Sequence, residues 1–191
     1  MDVATAWKKF MAFKEELTNK RYRLEDRLRL FNSVITPTVL YGCEAWTMTF
    51  DMESNLRRTE RRMLRMVFGS GRRRTDGGTV EPWVDWVKRT THQVEAKMET
   101  LSTENWRQQA RRRKWRWAGK LAHDNAKWSS VISRWDPSVD LETTRCTGRP
   151  CVRWDDKLNK LITERTGHCD WRNVAIDEEN WNILEDYFAH N

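Results

Sequence analysis

Dense cysteine, long apolar runs and strand-like alternation are all missing from this sequence. Four cysteines in 191 residues, Cys43, Cys146, Cys151 and Cys169, are too sparse for a disulfide framework. No apolar run approaches the length of a membrane span. The opening residues, "MDVATAWKKF", have no apolar core, and acidic residues follow, which argues against a secretory or transit leader. Alternation of apolar and polar residues is nearly absent, so a sheet-based core is not expected. There is no internal repeat and no low-complexity tract. These absences describe an intracellular chain without a membrane span, placed in nucleus or cytoplasm in preference to an organelle.

What is present is tryptophan, 12 against 3 tyrosines, and positive charge, net +7. Hydrophobic residues make up 38% of the chain and charged ones 33%, polar for a globular protein. The large area each indole buries lets that modest apolar fraction hold a core. The charge favours a polyanionic partner over a neutral one.

Helical spacing recurs along the chain. Trp7, Phe10, Met11 and Leu17 suit a first helix. Leu24, Leu28, Phe31, Val34 and Ile35 suit a second, which Pro37 should disturb at its end. Thr49 or Asp51 can cap a third. On that third helix, Met52, Leu56, Thr59, Met63, Met66 and Val67 fall within an arc of roughly 100°, with Arg57, Arg58, Arg61, Arg62 and Arg65 opposite. Gly69 and Gly71 then end it, and Arg72, Arg73 and Arg74 carry the charge into a loop. Thr79 can cap a fourth helix with Pro82 in its first turn and a stripe of Trp83, Val87, Thr90, Val94, Met98 and Leu101. A fifth places Trp106, Ala110, Arg113, Trp117 and Leu121 on one side and Arg107, Arg111, Arg112, Lys114 and Arg116 on the other. Trp128, Val131, Ile132 and Trp135 suit a short helix after Asp124, broken at Asp136-Pro137. Trp154, Leu158, Leu161 and Ile162 mark another, ended by Gly167, and Asp177 can cap a last one carrying Trp181, Leu184 and Phe188. The expectation is an all-α helical bundle with irregular connections, divided into a first helical region, residues 1–75, and a second, Trp-rich one, 76–191, with one continuous domain as the alternative.

Two basic helix faces backed by apolar stripes are therefore expected. Arginine dominates over lysine in them, and guanidinium forks bind phosphate oxygens bidentately and stack on bases. Nucleic acid is the partner this pattern favours.

The motifs themselves resemble a known family. "LRLFNSVITPTVLYGCEAWTMT", Leu28 to Thr49, is similar to the segment that follows the palm in reverse transcriptases of non-LTR retrotransposons, with Pro37, Leu40, Tyr41, Gly42, Glu44 and Trp46 at the matching places. "RRTERRMLRMVFG" resembles the family's next helix, and "RRRKWRWAGKLAHD" its basic stretch ending in Trp-x-Gly-His-x-x-Arg. "TGRPCVRWDDKL" resembles its Gly-Arg-Pro-x-x-x-Trp-x-Asp motif, and "DWRNVAIDEENW" its terminal segment. Lys120 and Ala122 flank Leu121 where the family has Gly-His-Val. Asp124 to Lys127 lack its Arg-Met pair, and "GSGRRRTDGG" replaces a more regular connection. The resemblance implies the thumb and the region beyond it, where helices hold a template–primer duplex. It adds Arg149 and Arg153, in the Gly-Arg-Pro motif, to the candidate nucleic-acid-binding residues.

No catalytic residue is expected. Reverse transcription needs palm aspartates that hold two metal ions. Asp155-Asp156 instead opens a helical pattern, where capping and the helix dipole explain acidic residues. Cys146, Cys151, His168 and Cys169 are zinc-ligand types, but their spacing is loose and adjacent His168 and Cys169 suit one tetrahedral ion poorly. Cys43, with no histidine nearby in sequence, reads as a buried structural thiol. "GSG" and "DGG" lack the strand and helix of a phosphate loop. No metal or cofactor is therefore expected. The expected function is a nucleic-acid-binding module, contacting RNA or an RNA/DNA duplex, derived from such a reverse transcriptase without its palm and hence not itself an enzyme. The alternative is a structural subunit co-opted into a large assembly, such as a ribonucleoprotein or an organellar complex.

Overall fold

A computed structural model describes residues 3–74, 78–123, 127–134 and 152–190. Among them the fold is all-α; the one extended pairing is an isolated antiparallel bridge between Arg74 and Val80. The chain divides into two compact units: residues 1–42 with 50–109, and residues 43–49 with 110–191. The expected boundary at 75/76 thus falls inside the first unit, because the helices on either side of it pack together.

The first unit starts with α1 (Val3–Ala12) and α2 (Lys14–Thr18), which bury Ala6, Phe10 and Leu17. Next comes α3 (Leu24–Leu30), which runs through a π-helical segment, Phe31–Ile35, into α4 (Thr36–Val39). Pro37 disturbs this helix, as the sequence suggested, but does not stop it: the disturbance is the π-helical segment just before it. Proline has no N–H to donate to the carbonyl four residues back, and its ring crowds that carbonyl. The wider turn accommodates both: the Thr36 N–H donates to Phe31 O, five residues earlier, and the helix continues. Phe31 lies flat on Trp106, ring centroids 5.6 Å apart, and edge-on to Phe10 at 6.4 Å. The Trp106 indole N–H donates to Thr36 Oγ1 at 2.8 Å, so this ring is buried with its polar atom satisfied.

Helix α5 (Phe50–Val67) buries Glu53, Leu56, Glu60, Met63, Leu64 and Val67. Leu56, Met63 and Val67 match the expected stripe, but the buried face is rotated to take in two carboxyl groups. Gly69, at φ +66°, ends the helix as expected: Ser70 N–H reaches back to Arg65 O at 2.9 Å, which a left-handed residue permits. Arg27 closes the same end from α3, donating through Nη1 to Val67 O at 2.5 Å. Helix α6 (Trp83–Thr100) follows Pro82, and buries Thr90, Val94 and Met98. Trp83, expected in that stripe, is 62% exposed; Trp86 makes the inward contact instead, its indole N–H donating to Ser70 O at 3.0 Å.

Helix α7 (Trp106–His123) supplies Trp106 to the first unit and, from Ala110 onward, belongs to the second. The second unit adds α8 (Trp128–Arg134), α9 (Asp156–Thr166), α10 (Trp171–Ala175) and α11 (Glu178–His190). Its core joins Trp115, Ala118, Leu121, Leu158, Ile162, Trp171, Trp181 and Phe188. Trp115 and Trp181 stack at 3.8 Å, and each indole N–H donates to the other's backbone carbonyl, at 3.0 and 3.3 Å. Gly119 makes room: a Cβ there would stand 2.8 Å from Trp181 Nε1. The short segment Cys43–Thr49 is held in this unit by Trp154 Nε1 on Glu44 O, 2.6 Å, and Lys114 Nζ on Trp46 O, 2.9 Å. Gly167, at φ +75°, ends α9, and Asp177 caps α11 through bonds to Glu179 N and Asn180 N, both as expected. On α8, by contrast, Trp128, Val131 and Ile132 are exposed while Ser130 is buried, donating to Leu121 O. Asp124, Trp135 and Pro137, read as the bounds and last apolar position of this helix, lie outside the described residues.

Candidate nucleic-acid interface

The arginines that seemed equivalent in sequence separate into two populations. On α5, Arg57, Arg58 and Arg62 are exposed. Arg58 touches Asn55 Oδ1 at 3.4 Å, and the Arg62 guanidinium carbon stands 5.0 Å from the Trp7 ring centroid. Arg61 and Arg65 are not on that outer face. Arg61 pairs with Glu95 of α6, and Arg65 donates to Thr90 Oγ1 at 2.9 Å and Thr91 Oγ1 at 2.7 Å while lying over Trp86. Burial and the neighbouring Arg61 charge lower the Arg65 pKa. The two residues fasten α5 to α6, so the basic face is narrower than helical spacing alone suggested.

Beyond α5, Arg72, Arg73 and Arg74 are exposed, yet their backbone is fixed. Arg72 Nε donates to Glu81 O at 3.0 Å, Glu81 N–H to Arg73 O at 2.9 Å, and Arg73 N–H to Glu81 Oε2 at 3.2 Å. The anchor is Arg89, which sequence reasoning did not single out. Its Nε and Nη2 grip the two oxygens of Glu81 at 2.8 and 2.7 Å, and Nη2 also reaches Gly71 O at 3.1 Å. The hydrogen bonds from Arg89, with the Arg73 N–H and both positive charges, pull the Glu81 carboxyl down to about 2. The signal that could have revealed this clamp is the spacing of Glu81 and Arg89 around the start of α6.

In the second unit the expected outer basic face of α7 is largely internal. Arg111 and Lys114 are buried and Arg112 half-buried, as is Arg107 on the part of α7 that belongs to the first unit; Arg113, expected on the opposite side with Trp106 and Ala110, is half-buried too. Lys114 Nζ lies 4.8 Å from the Trp154 ring centroid besides bonding Trp46 O. Arg112 pairs with Glu185 at 3.3 Å and Asp186 at 2.6 Å. Arg116 is exposed and its Nε bonds Glu185 at 2.8 Å. The reason is sequence-distant: α11 brings two carboxylates against α7, and charges taken out of water need such partners. Arg153 is exposed; Arg149 lies outside the described residues.

Asp155 and Asp156 are engaged, though not as a simple cap. Asp155 makes no capping bond; its buried Oδ2 accepts the Trp171 indole N–H at 3.2 Å and faces Arg172 at 3.6 Å. Asp156 Oδ2 accepts the Arg153 N–H at 2.7 Å. Among the described residues no group of three or more His, Cys, Asp or Glu could hold a metal ion. His168 and Cys169 are exposed, and Cys146 and Cys151 lie outside the described residues. Cys43 is buried, and burial first, then the Glu44 charge, push its thiol up to about 11 against the pull of Arg113. No helix among the described residues is long and apolar enough to cross a membrane.

Among the described residues the fold is thus all-α, and in the first unit Arg57, Arg58 and Arg62 on α5 and Arg72 to Arg74 beyond it turn outward, as do Arg21, Arg23 and Arg29. The chain is similar to an uncharacterized transposon-derived protein of Caenorhabditis elegans, 28% identical over 188 residues that cover 92% of this chain and 59% of that protein. It therefore spans about three fifths of that relative's length. No protein-family model and no solved structure matches the chain.

Proposed function

We propose that this chain is a nucleic-acid-binding helical module descended from a retrotransposon reverse transcriptase, its thumb and the region beyond. The observation that carries the reading is the exposure, within one unit, of Arg57, Arg58 and Arg62 on α5 and of Arg72 to Arg74 after it. Such groups contact phosphates without reading bases, which gives a salt-dependent and sequence-indifferent grip. The transposon-derived name of the Caenorhabditis elegans relative supports the ancestry. In this reading the partner is RNA or an RNA/DNA duplex, met in nucleus or cytoplasm, and the chain performs no polymerisation of its own. The Asp155 and Asp156 carboxylates already serve Trp171, Arg172 and the Arg153 amide.

The experiment is a salt titration of duplex binding with wild type and an Arg57→Gln/Arg58→Gln/Arg62→Gln variant. Three lost phosphate contacts should reduce the slope of log affinity against log salt by about 2.7. Affinity that does not fall between low and moderate salt would refute the reading. A structural role in a larger assembly is favoured by one separate observation, the exposed Trp128, Val131 and Ile132 of α8. Comigration with a stoichiometric complex on purification from the native source would support that alternative.

A further inference from the structure

Trp83, Trp86, Arg89, Gln93 and Lys97 fall within an arc of about 120° on α6, over a length of about 21 Å. The segment that leaves α5 lies along this face. Together they form a groove of about 470 Å³ whose lining includes Phe68, Gly69, Gly71, Arg73, Arg89 and Lys97. The groove is prebuilt: Glu81 holds Arg89, Arg89 holds Gly71 O, and Trp86 holds Ser70 O. With the Arg89 charge matched by Glu81, the cations left facing it are Arg73 and Lys97, both exposed. Lys97 Nζ stands 4.8 Å from the Phe68 ring centroid. A third is close by, since Lys20 Cε would be 3.1 Å from a Cβ at Gly69. Among the described residues no carboxylate lines the groove. Six residues before Arg89 on the same helix, about 9 Å along its axis, Trp83 turns a large aromatic surface to solvent, with Val80 and Val84 also exposed.

We infer that this face of α6 takes a single strand of nucleic acid, its phosphates against Lys20, Arg73 and Lys97 and one unpaired base stacked on Trp83. The inference rests on the proposed nucleic-acid function and adds the strandedness of the ligand. A track of cations ending in an exposed aromatic ring is the arrangement that binds single strands without sequence preference. A duplex keeps its bases stacked within, so it can use the cations but not the indole.

The test uses the intact chain and fluorescence anisotropy with two probes, a labelled oligothymidylate and a blunt duplex of the same length. Trp83→Leu, at an exposed position, should weaken oligothymidylate binding by about 5- to 150-fold, the worth of one base–aromatic stack, and leave duplex affinity unchanged. Trp83→Phe should recover part of the loss. Lys97→Gln should lower the salt slope for oligothymidylate by about 0.7. A folded Trp83→Leu protein that binds oligothymidylate as tightly as wild type, or loses both probes equally, overturns this inference and leaves the broader function standing. Wild type that binds neither probe overturns both.

Discussion

The buried carboxyl of Glu60 should make this protein less stable as pH rises through neutrality. Glu60 is 4% exposed, and its Oε1 accepts the N–H of Trp106, the first residue of α7, at 2.9 Å. Burial pushes its pKa from 4.5 to about 8, opposed by the Trp106 bond and by the charges of Arg61 and Arg57. A carboxyl whose folded value lies above its unfolded value binds its proton more tightly in the native state. Its contribution is therefore complete below about pH 4.5, declines as pH rises, and is gone above about pH 8. Each pH unit in that window of 4.5 to about 8 is about 1.4 kcal/mol, so the full swing is on the order of 5 kcal/mol. That is a large part of the roughly 5–15 kcal/mol by which domains are stable. Glu60→Gln keeps an oxygen to accept the Trp106 N–H but cannot ionise. In urea unfolding followed by circular dichroism from pH 5 to 9, the variant should match wild type at pH 5 and exceed it progressively toward pH 9. Glu60→Ala, equally unable to ionise, should lie about 1–3 kcal/mol below Glu60→Gln at every pH, having abandoned a buried donor. A wild-type-to-glutamine difference that stays constant from pH 5 to 9 would refute the reasoning.

Other perturbations have equally definite outcomes. Gly119→Ala puts a methyl against an indole already fixed by stacking, and should cost about 1–3 kcal/mol in thermal unfolding; an unchanged melting point would show that Trp181 can move. Glu81 has a folded pKa, about 2, below its ordinary 4.5, so its contribution is present above about pH 4.5 and lost as pH falls through 2. Glu81→Gln should therefore speed exchange of the Glu81 amide proton at pH 6, and unchanged protection would remove Arg89 from its role as anchor. With its thiol held near 11, Cys43 should stay unreactive toward a thiol reagent at pH 7.5 in the native protein, while exposed Cys169 reacts at once.

Helix positions were legible because they depend on local spacing. Leu56, Met63 and Val67 repeat at helical intervals, and Gly69 and Gly167 mark ends that require a left-handed residue. The direction of individual arginines was not legible, because it depends on what packs opposite. Arg61 turns toward Glu95, 34 residues away, and Arg112 toward Glu185, 73 residues away. Pro37 gave the right warning: the helix is disturbed there, and a wider turn absorbs the strain without breaking it. Trp83 fitted the apolar stripe by number, yet α5 ends at Val67 and leaves the first turn of α6 uncovered.

The seven residues from Cys43 to Thr49 belong to the second unit although the first surrounds them in sequence. Neither unit is therefore an uninterrupted length of polypeptide, and no single cut releases one intact. A fragment ending at Gln109 strands the Glu44 and Trp46 carbonyls without Trp154 and Lys114, and a fragment beginning at Ala110 has two donors with nothing to receive them. Dissecting the protein calls for grafting that heptad onto the C-terminal portion and bridging the gap it leaves with a flexible linker.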